Sequence, residues 1–252
     1  MKIFAVSDIH GYYDELIDAL TKAGFEKDNP EHLLVTCGDH FDRGPKPKEV
    51  LDYLMSLSNT INIRGNHEEL LEELCERKYP EYHDYSNGTM KTVVDMIPYV
   101  RNLDILYDSV LRMTAEFRNN MKNYFETKNY IFVHGWIPCT PLKDKHYYNL
   151  HASDFRFNPE WRNSTDEQYK QACWCNGIDM AARGLIEPNK TIVCGHYHCS
   201  YGHFMDDKTF KISEFGDNAV WDPYYNKGII AIDRCTAHTG EINVLVLEDE
   251  LL

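Results

Sequence analysis

The sequence predicts an α/β fold built on a β-α-β-α-β unit, with its polar clusters at the carboxyl edge of a sheet. Three observations predict it. Ser7-Asp8-Ile9-His10-Gly11, Gly38-Asp39 and Gly65-Asn66-His67-Glu68 each follow a short apolar run: Ile3-Phe4-Ala5-Val6, Leu33-Leu34-Val35-Thr36-Cys37 and Ile61-Asn62-Ile63. The spacing is regular, 31 residues from Asp8 to Asp39 and 27 from Asp39 to Asn66. Each interval holds one helix and one strand, so the three clusters end neighbouring strands. Open α/β sheets bind their ligands at that edge.

The elements follow in order. Residues 14–23 read as an amphipathic helix with Leu16, Ile17, Leu20 and Ala23 on one face, and Gly24 suits its C-terminal stop. Pro45 and Pro47 suit a second helix start, and Val50, Leu51, Leu54 and Leu57 form its stripe. A third helix begins near His67, with Leu70, Leu71 and Leu74 inward. Residues 79–129 break the rhythm: Tyr79-Pro80 and Ser86-Asn87-Gly88 are turn signals, and 89–126 reads as mostly helical, interrupted near Pro98. This segment is either an inserted helical cap over the site or a helical layer beside the sheet. The expected organisation is one domain over 1–252 with a helical insertion at about 80–129. Residues 130–133 read as a strand ending at His134-Gly135, and 139–189 as loops and short helices. Residues 191–194 form a strand leading into Gly195-His196-Tyr197-His198. Segments 209–214, 228–233 and 242–248 have hairpin-like spacing and suggest an antiparallel half.

The chain has 252 residues, 43% hydrophobic, enough for one large domain with a sizeable core. A net charge of −14 argues against non-specific nucleic-acid binding. It leaves a phosphorylated substrate open, because two divalent cations reverse the local field. No run approaches the length of a membrane span, and the N-terminus enters a strand without signal-peptide regions. The expected location is the cytoplasm, where the eight cysteines would be reduced. Cys173-Trp174-Cys175 could be half a zinc site, but no second CxC or CxxC completes it, and structural thiols are expected. Cys194 reads as a core residue and Cys199 as a thiol near the site and open to oxidation. Aromatic residues at 79–85, 146–161 and 197–225 either stack on a nucleobase or cover the edge of the core.

Asp8, His10, Asp39, Asn66, His134 and His196 are three oxygen donors and three imidazoles. That mixture suits Mn, Fe, Zn or related divalent ions better than Ca. Asp39, central in sequence, is the natural bridging carboxylate. Two ions about 3.5–4 Å apart clamp a phosphoryl group and lower the pKa of a bridging water, and the hydroxide would attack phosphorus directly. No GxxxxGK[ST] loop is present, which disfavours an ATP-driven motor. One histidine after a strand is more often structural, but five polar clusters at strand ends outweigh that reading.

Asp8-Ile9-His10-Gly11, Gly38-Asp39-His40-Phe41-Asp42-Arg43-Gly44, Arg64-Gly65-Asn66-His67-Glu68, Val133-His134-Gly135 and Gly195-His196 resemble the ordered motifs of calcineurin-like metallophosphoesterases. The Asp-Arg-Gly and Arg-Gly-Asn-His-Glu versions resemble the branch of serine/threonine phosphoprotein phosphatases and bacterial symmetrical diadenosine tetraphosphatases. Asn87-Gly88-Thr89 resembles the bacterial members' Asn-Gly-Gly segment, with Thr as its third residue. The resemblance implies two packed mixed sheets flanked by helices. It implies a first metal on Asp8, His10 and Asp39, and a second on Asp39, Asn66, His134 and His196. His67 would be the general acid, Asp42 its orienting partner, and Arg43 the grip on phosphate oxygens. A second phosphate-binding arginine is expected between the last two metal histidines. Arg156 is the first candidate, with Arg162 and Arg183 competing. Gly-His-x-His resembles the wider phosphodiesterase branches and would add His198 to the first metal. Asp233-Arg234-Cys235 departs from the family's Asp-Thr-Gly.

The expected activity is hydrolysis of phosphate monoesters, on phosphoproteins or small phosphoesters, with two divalent ions, manganese first and Fe, Zn or Ni as alternatives. The alternative activity is a dinucleoside polyphosphate hydrolase of the diadenosine tetraphosphatase type, or a phosphodiesterase. A non-catalytic metal-binding scaffold is the third reading, but it would need none of His67, Asp42 and Arg43.

Overall fold

The computed structural model describes residues 1–142 and 151–252. The first half runs β1 (Lys2–Val6), α1 (Tyr13–Ala23), β2 (His32–Cys37), α2 (Pro47–Ser56), β3 (Thr60–Ile63) and α3 (Asn66–Arg77). Gly24 ends α1 in the left-handed conformation, φ 80°, as expected. The segment that breaks the rhythm holds α4 (Tyr82–Ser86), α5 (Thr89–Met96) and α6 (Leu103–Asn120). Then come β4 (Phe125–Glu126), β5 (Tyr130–Phe132), β6 (Thr140–Pro141), β7 (Phe155–Arg156), α7 (Asp166–Ala172) and α8 (Gly177–Ala182). The chain ends with β8 (Thr191–Cys194), α9 (Cys199–Asp206), β9 (Tyr224–Asn226), β10 (Ile229–Ala231), α10 (Thr236–Thr239) and β11 (Leu245–Glu248). The aromatic run that opens at 146 falls partly outside the described residues.

Two mixed sheets pack face to face, in the orders β11-β1-β2-β3 and β4-β5-β8-β10-β9. In the first, β1, β2 and β3 are parallel and β11 is antiparallel to β1. In the second, β5, β8 and β10 are parallel, with antiparallel β4 and β9 at the edges. Successive side chains on a strand point to opposite faces. Ile3, Ala5, Leu33 and Val35 therefore meet Phe132, Val193 and Ile230 between the sheets. Phe4, Val6 and Leu34 face the helices of the first half. Ile131, Val133 and Ile192 face Trp136, Trp161 and Ile178. Both faces of the central strands are covered, and for that reason these strands read as continuous apolar runs.

Helices α5 and α6 lie in the layer beside the first sheet. Val93, Met96, Leu106, Val110 and Phe117 share one core with Val50 and Leu54 of α2 and Leu71 and Leu74 of α3. The first turn of α5 reaches the loop at the polar edge through Thr89, and Phe117 of α6 packs against His40 and Phe41 of that loop.

The C-terminal expectation needs correction. Residues 209–214 form no strand. The Asp207 carboxylate accepts from the amides of Thr209, Lys211 and Ile212 at 2.6–2.7 Å and curls the chain there. Nor is this half simply antiparallel: β10 pairs antiparallel with β9 and parallel with β8, and β11 leaves for the first sheet. The expected strands at 228–233 and 242–248 are present as β10 and β11, but they do not pair with each other, and the antiparallel partner of β10 is β9, which the hairpin-like spacing did not include. No helix among the described residues is long and apolar enough to cross a membrane. None of the eight cysteines is in a disulfide.

Candidate active site

The polar clusters converge where both sheets end. Hydrogen bonding continues past β1 and β2 into their loops: Asp8 N–H donates to Gly38 C=O at 3.1 Å and His10 N–H to Asp39 C=O at 2.9 Å. Eight non-glycine residues have positive φ among the described residues, and five of them are Asp8, His10, Asp39, Arg43 and His196. That conformation is uncommon for such residues and gathers at functional sites. It also shows how Asp8 and His10, which would alternate on an ideal strand, turn toward one place. Gly65 and Gly195 are required by close approach: a Cβ on either would collide with the carboxylate of Asp39 or Asp8, respectively.

Asp39 is central. Its Oδ1 lies 3.3 Å from His134 Nε2, and its Oδ2 lies 3.8 Å from both His10 Nε2 and His67 Nε2. Two groups able to hold an ion share it: His10, Asp39 and His67, and Asp39, His134 and His196. Asp8 adjoins the first, with Oδ1 4.0 Å from His10 Nε2, while its Oδ2 accepts from Ser7 Oγ at 2.5 Å and the His196 amide at 2.9 Å. Asn66 adjoins the second, with Oδ1 2.8 Å from His134 Nε2.

The ring tautomers are constrained. His134 Nδ1 faces the Cys37 carbonyl at 2.7 Å, so it carries the proton and donates. The His134 Nε2 lone pair then faces two oxygens, Asn66 Oδ1 and Asp39 Oδ1. The His196 ring also hydrogen-bonds the Trp174 backbone. Acceptors facing acceptors in a buried site call for a cation, so the residues present fit a metal centre.

The electrostatics agree. Burial pushes the Asp8 carboxyl up to about 6, with His134 pulling it down and Asp39 raising it. Burial also acts against the Asp39 carboxylate, but His134, His67, His10 and His196 outweigh it and hold Asp39 well below the ordinary carboxyl range. Burial drives the His10 pKa far down, and it lowers that of His196 to about 3. Two imidazoles that burial keeps neutral, His10 and His196, beside an ionised carboxylate are what a divalent ion binds. His67 differs: burial lowers its pKa, but Asp39 and Asp42 raise it more.

His67 Nδ1 lies 2.8 Å from Asp42 Oδ2. Arg43 donates through one nitrogen to His10 Nε2 at 2.9 Å and through the other to His67 Nε2 at 3.1 Å. The His67 ring is thus held with Nδ1–H on Asp42 and Nε2 toward Asp39. Nε2 is the atom that can take up and return a proton.

Other expected residues have surroundings of their own. His198 is not brought into either group; its Nε2 lies 3.0 Å from Glu214 Oε1, among Phe215 and Trp221. Arg156 is exposed on β7. Arg162 is engaged by Glu126 at 2.6 and 2.9 Å. Cys199 is fully buried, donates to the Ala231 carbonyl at 3.1 Å, and burial raises its pKa far up. This corrects the expectation of an oxidisable thiol, since an inert thiol is what such burial produces.

Two residues carry more than the sequence reading assigned. Glu68 is 2% exposed and accepts from the amides of Gly65, His40 and Asp39 at 2.8, 2.8 and 3.1 Å. A Glu in the first turn of a helix entered from Gly65 was a visible capping signal. Thr89 donates to Asp42 Oδ2 at 2.6 Å. Nothing local announces that contact across 47 residues.

The site and fold define a class: a two-sheet α/β protein with one carboxylate, at strand ends, shared by two groups able to hold a metal ion. A family model described as calcineurin-like phosphoesterase matches residues 1–239, and the chain belongs to that family. Among curated relatives, a "Bis(5'-nucleosyl)-tetraphosphatase, symmetrical" of Buchnera aphidicola is 39% identical over 69 residues, 27% of this chain and 24% of the relative. The protein of the same name in Salmonella typhimurium is 41% identical over 69 residues, again 27% and 24%. The match thus takes in about a quarter of those relatives' length. Among solved structures, a cold-active protein-tyrosine phosphatase of a psychrophile Shewanella sp. has a TM-score of 0.54 at 18% identity, covering 98% of this chain and 75% of that one. That likeness concerns the fold alone.

Proposed function

We propose that the chain is a dinuclear metal-dependent phosphoesterase that hydrolyses phosphate monoesters, on phosphoproteins or small molecules. The observation that carries this reading is Asp39, one carboxylate whose two oxygens face separate imidazole groups. The first ion is assigned to Asp8, His10 and Asp39, and the second to Asp39, Asn66, His134 and His196, with manganese the first candidate. A bound ion pair supplies positive charge for the phosphoryl oxygens and lowers the pKa of water. His67 is the proton donor to the leaving oxygen, supported by its raised pKa and its bond to Asp42. Its place outside the ligand set, despite its 3.8 Å approach to Asp39, rests on that role. Arg43 stands between His10 and His67, where a planar fork can take phosphate oxygens. Arg156 is carried as the second phosphate contact from its order in the sequence; His198 is left out because Glu214 takes its Nε2. One domain with a helical insertion at about 80–129, in a cytoplasmic setting, is the accompanying picture.

A second reading, a dinucleoside polyphosphate hydrolase, is favoured by one observation beside the relatives' names. His198, two residues beyond His196 in the chain, gathers with Phe215, Trp221 and His238, with ring centroids 4.9–6.0 Å apart. Such rings suit a nucleobase.

The test is a steady-state panel of an aryl monoester, an aryl diester, a phosphopeptide and diadenosine tetraphosphate, each with Mn, Fe, Ni, Zn and Mg. Metal-dependent turnover led by a monoester is expected. A kcat/KM led by the dinucleotide would establish the second reading. No turnover with any ion would leave the scaffold reading.

A further inference from the structure

The loop that carries Asp42 and Arg43 is held from outside the β-α-β unit by the first turns of α5. Thr89 Oγ1 donates to Asp42 Oδ2 at 2.6 Å, Thr92 Oγ1 to the Phe41 carbonyl at 3.4 Å, and Lys91 Nζ to the Gly44 carbonyl at 2.9 Å. Gly88, at φ +83°, packs against the Arg43 backbone so closely that a Cβ would collide with it. Thr89 and Asp42 are 0% and 1% exposed. Asp42 Oδ2 therefore has two donors, Thr89 Oγ1 and His67 Nδ1, while Asp42 Oδ1 has no hydrogen-bond partner. A carboxylate held by His67 alone could rotate about its Cβ–Cγ bond and exchange its oxygens. With Thr89 as a second donor, Oδ2 is fixed toward the imidazole.

We propose that Thr89 is a positioning residue for proton transfer: its hydroxyl locks the Asp42 carboxylate and thereby sets the direction of His67. This rests on the reading of His67 as the proton donor. The dyad is thus a triad in structure, Thr89–Asp42–His67, whose outer member comes from the helical segment. The hydroxyl is the part that matters, since glycine or valine at this position supplies no donor.

The experiment compares Thr89→Val, nearly isosteric without the donor, with Thr89→Ser, which keeps it. Both are measured beside His67→Asn, with thermal melting and metal content as controls. Thr89→Val is expected to lower kcat on an alkyl phosphate by roughly tenfold, the loss of one charge-assisted hydrogen bond. KM should be nearly unchanged, the loss on nitrophenyl phosphate smaller, and Thr89→Ser should recover most of the rate. The proton NMR resonance of His67 Nδ1–H should shift in Thr89→Val and return in Thr89→Ser. Equal losses on both esters without rescue by serine, or an unmoved Nδ1–H resonance, would overturn the proposal. Equal losses on both esters in His67→Asn would instead overturn the proton-donor reading, and the resonance then still decides whether Thr89 orients the ring.

Discussion

Asp39 is the residue through which one substitution reaches both candidate metal positions. Asp39→Asn removes the charge that four surrounding imidazoles hold in place. Loss of even an outer partner of a metal ligand costs about 10–100-fold in affinity, so more than that is expected at both positions together. Elemental analysis should find the ion content falling as a pair, and a variant that still holds two ions would contradict the shared role. His198 gives the opposite expectation. Its Nε2 lies on Glu214 and its ring among Tyr197, Phe215 and Trp221. His198→Ala should leave metal content at the wild-type level and loosen the loop that follows α9, read as faster proteolysis near residues 207–222. A drop in first-ion occupancy would bring His198 back into the ligand set.

At the scale of elements, the entry of α3 joins the two loops that carry Asp39 and Asn66, both candidate metal ligands. Glu68 serves three buried amides on those loops, and His40 Nδ1 lies 3.0 Å from its other side. Burial opposes the Glu68 carboxylate, but the charge and hydrogen bonding of His40 outweigh that and hold its pKa below the ordinary value. A lowered carboxyl pKa contributes stability above the unfolded pKa, and that contribution is lost as pH falls through the folded value. Glu68→Gln keeps the shape but turns an amide N–H₂ toward donors. The cost should be about 2 kcal/mol at neutral pH, with a weaker hold on both ions. Chemical denaturation across the acid range checks the sign: the gap between variant and wild type should narrow toward low pH. A constant gap would mean that the charge on Glu68 contributes nothing.

At the scale of the molecule, the two sheets meet a second time at the C-terminus. Asp249, just past β11, accepts from Thr127 Oγ1 at 2.7 Å and from the Asn129 amide and side chain at 2.8 and 2.6 Å, on the turn between β4 and β5. Burial works against this carboxylate, and the bonds from Thr127 and Asn129 overcome it and lower its pKa. The sign matches that of Glu68: the contribution is present above about pH 4 and fades in more acid solution. Asp249→Asn should lower the midpoint of thermal unfolding at pH 7, a loss of about 1 kcal/mol, and the difference should vanish at low pH. Activity per folded molecule should be unchanged, since no ligand candidate touches Asp249. Loss of metal with this variant would show that the two sheets are coupled through their far edge.

The meeting of Asp8, His10, Asp39, Asn66, His134 and His196 at one edge was legible because each follows an apolar run, and a parallel sheet brings all such ends to one edge. The helices α1, α2 and α3 were legible because their stripes repeat every turn. Periodicity could not say where α5 and α6 pack, because an apolar stripe fits any apolar surface; the shared core with α2 and α3 decided it. Residues 209–214 looked like a strand because propensity weighs single residues, whereas the Asp207 carboxylate bonding three amides outweighs a weak propensity. Chain order alone determined which donor types this protein brings together. Which atoms face one another was decided by tertiary packing: the His134 lone pair toward Asn66 and Asp39, His198 turned to Glu214, and Thr89 reaching Asp42. A side chain's direction depends on rotamer, backbone φ and the neighbours that bury it, and here those neighbours lie dozens of residues away.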